Sequence, residues 1–123
     1  MIPAVDDVRS DALTHRFGDI FNPPGLTNFL GVVQADADIT AFRSFNFPPL
    51  ATSDTVTASL FLDGQFFVAS GEEVTFTWYP DRIERTASFR GLRLRSALAL
   101  VPATCAAVLR LEVEADTERA VEV

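Results

Sequence analysis

The sequence predicts an all-β protein with an antiparallel β-sandwich fold, because apolar and polar residues alternate along most of its 123 residues. Val74, Phe76 and Trp78 alternate with two threonines and a tyrosine, and leucines alternate with arginine and alanine between residues 92 and 100. A period of two buries one face of a strand and leaves the other in water. Turn signals separate the runs, and Asp63-Gly64 between two apolar stretches is typical of a β-hairpin.

In chain order the alternation predicts seven or eight strands, at about residues 27–33, 39–45, 56–62, 65–69, 74–78, 82–89, 92–100 and 107–114. The segment "ADAD", residues 35–38, reads as a turn between the first two. Near the C-terminus, residues 115–118 read as a turn and residues 120–123 as a returning strand. We therefore expect a C-terminal hairpin whose short second strand is frayed or lies at a sheet edge.

The sequence predicts one domain, or part of one, preceded by an N-terminal arm. Residues 1–24 have no clear period and form a loosely ordered N-terminal arm, with one or two helical turns at residues 8–13. Residues 25–123 form the sandwich, which we expect to be incomplete at its C-terminus. The N-terminus has neither the basic start nor the apolar run of a secretory signal, and no stretch is apolar enough to span a membrane. We expect a cytoplasmic protein without membrane contacts.

The charge of the chain argues against nucleic-acid binding. The formal net charge is −7, and all ten basic residues are arginine. An acidic chain without a basic patch is repelled by phosphate backbones. The nearest basic cluster alternates with apolar residues along two predicted strands, which predicts a solvated sheet face formed by Arg82, Arg85, Arg90, Arg93 and Arg95.

No catalytic, metal or cofactor site is predicted. Cys105, the single cysteine, lies beside two alanines and a valine and is expected to be a small buried side chain. His15, the single histidine, has no motif around it, and neither a phosphate-binding loop nor a nucleophile motif is present. Glu112 and Glu114 would lie about 7 Å apart on one strand face. Such carboxylates are ordinary on a wet face, so we do not predict a glycosidase pair.

The stretch "FTWYPDR" is the one candidate binding site, and it has two interpretations. In the first, Trp78 or Tyr79 is a flat platform on which a sugar ring stacks, with Asp81 and Arg82 as polar partners. In the second, Trp78 points into the core with Val74 and Phe76, and Tyr79 only covers a strand end. The alternation favours the second interpretation, since Trp78 shares the phase of the apolar residues.

Several segments together resemble the N-terminal β-supersandwich domain of glucoamylase-like (family 15) or debranching-type glycoside hydrolases. They are "GLTNFLGVVQADADITAFRSFNFP", "LFLDGQFF", "VTFTWYPDRIERTASFRGLRLRSALALVP" and "AAVLRLEVEADTERAVEV", which span residues 25–123. The chain departs from the family pattern at Ala115, where an asparagine is usual, and at Ala37, where a glycine is usual. The similarity lies in the order of strands and turns, without a catalytic signature.

The resemblance implies a non-catalytic domain, or a truncated part of one, that packs in cis on an (α/α)6 catalytic barrel. Both catalytic glutamates of these enzymes lie in the barrel, so the resemblance gives this chain no catalytic residue. An α-glucan or another oligosaccharide is the ligand it suggests. Two alternatives stay open: a free-standing carbohydrate-binding module, and an interaction domain whose unpaired strand edge binds a partner.

Overall fold

A computed structural model describes residues 12–19, 23–71 and 73–123 of the chain. Within these ranges the regular structure consists of twelve β-strands and a 3-10 turn at Phe17–Asp19. The strands are β1 Leu13–Arg16, β2 Gly25–Thr27, β3 Val32–Ala35, β4 Ala41–Phe47, β5 Leu50–Thr57, β6 Leu60–Leu62, β7 Gln65–Phe67, β8 Thr75–Trp78, β9 Ile83–Phe89, β10 Leu92–Leu100, β11 Ala107–Ala115 and β12 Val121–Glu122.

The strands form antiparallel sheets that enclose one apolar core, so the predicted all-β sandwich is confirmed. The largest sheet has the order β1-β8-β9-β10-β11, a four-stranded sheet has the order β2-β3-β4-β5, and a three-stranded sheet has the order β12-β6-β7. Buried side chains from all three sheets meet in the core, among them Val33, Leu60, Phe76, Ile83 and Leu98. Burial of this apolar surface is the main force that holds the sheets together.

Two tight turns explain the most regular parts of the fold. Asp63 and Gly64 both have positive φ, at 52° and 73°, and join β6 to β7 as the Asp-Gly pair predicts. Arg90 and Gly91 have φ values of 48° and 80° and join β9 to β10 in the same way. Their left-handed backbone matches the strand twist, so each hairpin keeps its register.

The structure differs from the predicted strands in the first half of the chain. The strand predicted at residues 27–33 is instead the hairpin of β2 and β3, because the Asn28 carboxamide accepts hydrogen bonds from the backbone N–H groups of Leu30 and Gly31, both at 2.8 Å. The strand predicted at 56–62 is interrupted between β5 and β6. Within the predicted arm, β1 pairs with β8; most of the helical turns predicted at residues 8–13 lie outside the described residues.

The predicted C-terminal hairpin is wrong, because β12 pairs with β6 and not with β11. Arg119 forms an ion pair with Asp63, and the backbone N–H of Asp63 donates to the carbonyl of Ala120 at 2.9 Å. Ala120 returns a hydrogen bond from its own N–H to the Asp63 carboxylate at 3.2 Å. These contacts direct the chain to the β6–β7 hairpin, where β12 lies at a sheet edge as expected.

The expected burial of Cys105 is also wrong. The residue is exposed in the connection between β10 and β11, where Ala103 has a φ of 56°. Cys105 itself lies in a bend before β11 begins at Ala107, so the apolar residues that follow it do not place it in the core.

Candidate functional site

The outer face of the five-stranded sheet is polar, and period-two alternation places its side chains there. On β9 and β10 the residues between the buried positions point outward, and β8 and β11 add threonine and glutamate. The strands are paired without interruption of register, so the outward side chains lie in rows across the sheet. We call this surface the polar face.

A groove of about 830 Å³ runs across the polar face. All strands of the sheet, together with the segment before β8, line it with hydroxyl, guanidinium and carboxylate groups. Three arginines and three glutamates contribute equal numbers of positive and negative charges, and the main polar side chains are Arg16, Arg93, Arg95, Glu73, Glu112, Glu114, Thr75, Thr86 and Ser88. Such a lining offers many hydrogen-bond donors and acceptors with no net charge.

Ion pairs hold the side chains of the groove in place. The Arg93 guanidinium donates to Glu114 at 3.2 Å and to Asp116 at 2.6 Å. Two residues further along β10, Arg95 donates to Glu84 at 3.1 Å. Exposed pairs of this kind contribute little to stability, but they fix where each donor and acceptor is presented.

The predicted site residues are divided between the two faces of this sheet. Tyr79, Asp81 and Arg82 lie together: the Arg82 guanidinium carbon is 4.0 Å from the centre of the Tyr79 ring, and Arg82 donates to Asp81 at 3.0 Å. Trp78 packs instead against the core, and its indole N–H donates to the carbonyl of Gly25 at 3.2 Å. The structure therefore does not bring the four residues into one site, and Arg82 covers one face of the Tyr79 ring.

Glu84 connects the cluster of Tyr79, Asp81 and Arg82 to the groove. It accepts hydrogen bonds from Arg82 at 2.8 Å and from Arg95 at 3.1 Å, and Arg95 also lines the groove. The hydrogen bond from Arg82 is the main reason that the pKa of Glu84 lies below its usual value, with a smaller contribution from Arg95. The same contacts raise the pKa of Arg82 and of Arg95, so these groups stay ionised.

Glu112 and Glu114 both line the groove, and each is paired with an arginine. Glu114 accepts from Arg93, and Glu112 forms an ion pair with Arg110 at 2.6 Å. A general acid must donate a proton, whereas a carboxylate engaged by guanidinium groups serves as an acceptor. Within residues 12–19, 23–71 and 73–123, no three His, Cys, Asp or Glu side chains are grouped so as to bind a metal ion.

Arg85 lies on the opposite face of the same sheet, so its predicted place on a solvated face is wrong. Its side chain is fully buried, and its Nη1 donates to the carbonyls of Asp36, Asp38 and Ala41 at 2.7–2.8 Å. Its Nε donates to the Ser96 hydroxyl at 3.0 Å. The residue is in phase with the buried Ile83 and Ala87, which is why it points inward.

The buried guanidinium connects the two largest sheets. Two of its carbonyl partners, Asp36 and Asp38, belong to the turn between β3 and β4, and the third, Ala41, is the first residue of β4. The side chains of Asp36 and Asp38 close this turn through hydrogen bonds to backbone N–H groups at 2.9 Å. Burial lowers the pKa of Arg85 to about 10, and the nearby carboxylates of the two aspartates act in the opposite direction. The group is still protonated at neutral pH.

Comparisons with family models, with curated proteins and with solved structures found no match to this chain. No helix in the described residues is long and apolar enough to cross a membrane.

Sequence reasoning identified part of this site and missed the rest. It placed Arg93 and Arg95 on a wet sheet face, which the structure confirms. It did not single out Thr75, Thr86 or Ser88, although all three occupy the polar phase of their strands and would have been found by the same alternation.

Proposed function

We propose that this chain is a non-catalytic β-sandwich module of a glycoside hydrolase, and that its polar face binds a neutral oligosaccharide such as an α-glucan. The observation on which the proposal depends is the groove across the five-stranded sheet, with its balanced charges and hydroxyl groups. Five strands spaced about 4.8 Å apart give the groove a length of about 19 Å across the sheet, which accommodates a short oligosaccharide.

The chemistry of the lining supports a neutral, hydroxyl-rich ligand. Sugar hydroxyls donate and accept, and the groove supplies donors from arginine beside acceptors from glutamate. A polyanion would meet three carboxylates and a polycation three guanidinium groups, so neither gains net attraction. The side chains of Arg93 and Arg95 are more than half exposed, so their guanidinium groups are accessible to a ligand in the groove.

The parent enzyme class is proposed on the resemblance in strand order over residues 25–123. In that setting the module packs on an (α/α)6 catalytic barrel supplied by the same polypeptide and presents a glucan beside it. An open reading frame that continues into such a barrel supports this assignment, and hydrolysis of glucan by the purified chain that is lost on Glu112→Gln would contradict it.

Glycan binding is tested by titrating the purified chain with malto-oligosaccharides of increasing length and following backbone amide shifts by NMR. We expect shifts at Thr86, Ser88 and Arg95, and an affinity that increases with chain length until the groove is filled. Truncation in Arg95→Ala removes a donor in the groove and should weaken binding about ten- to a hundredfold, since a hydrogen bond to a charged group is worth about 1.5–3 kcal/mol.

Arg43→Ala is the matched control, because Arg43 is exposed on β4 of the other sheet. It should leave the affinity unchanged. Binding that is equally weakened by both variants, or no binding to any neutral oligosaccharide, would refute the glycan proposal.

A further inference from the structure

β11 is a long sheet edge without a neighbouring strand on its outer side among the described residues. It has nine residues and lies at the end of the order β1-β8-β9-β10-β11. An uncovered edge presents a row of free N–H and C=O groups, which is a template for another strand.

The hydrogen bonds at both ends of the β10–β11 hairpin identify which groups are free. The N–H of Asp116 donates to the carbonyl of Gly91, and the N–H of Val101 donates to that of Ala106. Because antiparallel hydrogen bonds occur at alternate residue pairs, even-numbered residues of β11 are bonded to β10. The odd-numbered residues therefore direct their N–H and C=O groups away from the sheet.

The apolar side chains of β11 are also incompletely covered. Leu109, Leu111 and Val113 pack against the core but are only half-buried, whereas Leu94 and Leu98 on the neighbouring β10 are fully buried. A strand placed beside β11 would cover this apolar row and continue the core.

The charges on β11 are complementary to themselves when two copies of the strand pair antiparallel about Leu111. In that register all nine residues overlap, and Arg110 of each copy stands opposite Glu112 of the other. Leu111 lies opposite Leu111 of the second copy, so the free N–H and C=O groups of the two residues face each other. Pairing about Val113 would instead place Glu112 of each copy opposite Glu114 of the other, which is repulsive.

We propose that β11 is a homodimerisation edge, which pairs with β11 of a second copy about Leu111 and joins two five-stranded sheets into one. Arg110 and Glu112 form one ion pair within each separate chain. In the dimer these two intrachain pairs are replaced by two equivalent pairs between the chains. The proposal goes beyond glycan binding, and its test needs no ligand.

The first experiment measures the mass of the full chain by size-exclusion chromatography with light scattering over a concentration series. The mass should approach twice 13.5 kDa. Arg110→Glu or Glu112→Arg alone creates two like-charge contacts and should raise the dissociation constant of the dimer about tenfold or more. The double variant Arg110→Glu/Glu112→Arg restores opposite charges and should restore the dimer.

Arg43→Glu makes the same charge change on β4 and should leave the dimer unaffected, and circular dichroism confirms that each variant is folded. A wild-type monomer at the highest soluble concentration would overturn the proposal. So would a dimer that neither single variant weakens, or one that the double variant does not restore.

Cross-linking tests the register independently. In a Cys105→Ser background, a mixture of Arg110→Cys and Glu112→Cys chains places two thiols at directly opposed positions, about 4.5 Å apart between Cα atoms, which a disulfide can span. We expect a covalent heterodimer from this mixture and none from either variant alone. Val108→Cys mixed with Glu112→Cys is the out-of-register control, and efficient cross-linking there instead would contradict pairing about Leu111.

Discussion

The two faces of the five-stranded sheet use the same residue type in opposite ways. On the inner face, Arg85 is 0% exposed and donates three hydrogen bonds to backbone carbonyls and one to a hydroxyl. On the outer face, the side chain of Arg95 is 57% exposed and donates to a carboxylate at the surface. The inner arginine joins two sheets together, whereas the outer one presents its guanidinium to solvent.

The difference shows that the phase of a residue along its strand decides its role more than its chemistry does. Arg85 occupies an inward position between apolar residues of β9, where burying a charge is costly unless it is hydrogen-bonded. Its Nε and Nη1 have hydrogen-bond partners, whereas its buried Nη2 has none among the described residues. Its neighbour across the strand pair is Ser96, which also occupies the inward phase and accepts from Arg85. The two polar residues therefore form one buried unit.

Removing the buried guanidinium should have the largest effect. Arg85→Ala leaves three carbonyls and a hydroxyl without their donor and opens a cavity, so we expect a loss of about 3 kcal/mol or more in the free energy of unfolding. Arg95→Ala, on the outer face of the adjacent strand, should lose about 1 kcal/mol or less, because its ion pair is exposed to water.

Urea denaturation of the two variants, followed by circular dichroism, measures this difference. If Arg85→Ala does not fold, Arg85→Lys keeps a cation near the carbonyls and should give a measurable, smaller loss. Equal effects for the inner and outer arginine would mean that the buried contacts do not stabilise the fold.

A smaller effect is expected at the hydroxyl end of the same unit. Ser96→Ala removes the acceptor of the Arg85 Nε–H and leaves that donor buried, which should lower the free energy of unfolding by about 1–3 kcal/mol. Ser88→Ala on the outer face of β9 is the matched control, and a surface substitution there should stay within about 0.5 kcal/mol. A loss at Ser88 as large as at Ser96 would contradict the assignment of the two faces.

Much of this architecture could be predicted from the alternation, and the errors have physical causes. Strand β10 was predicted with its observed limits because leucines mark every inward position but one. Arg85 was assigned to the wrong face because it was grouped with the other arginines by type, although Ile83 and Ala87 mark its phase as inward.

The other errors concern contacts between residues far apart in sequence. The pairing of β12 with β6 depends on Arg119 and Asp63, and nothing in the local pattern of either segment shows that they meet. The groove likewise arises because five strands bring their polar phases together. Alternation places Arg93, Glu112 and Glu114 on wet strand faces, but it does not show that these faces lie side by side.

The smallest expected effect concerns the acid sensitivity of the polar face. Hydrogen bonds from Arg82 and Arg95 lower the pKa of Glu84 in the folded protein below its ordinary value of 4.5. A carboxylate with a depressed folded pKa contributes stability that is fully present above the unfolded pKa and is lost as the pH falls through the folded pKa.

The stability difference between wild type and Glu84→Gln should therefore be constant near neutral pH, about 1 kcal/mol or less, and shrink below pH 4.5. Urea denaturation of wild type and Glu84→Gln between neutral and acidic pH measures this difference. A difference at Glu84 that stays constant through this range would mean that the two arginines do not stabilise the ionised carboxylate.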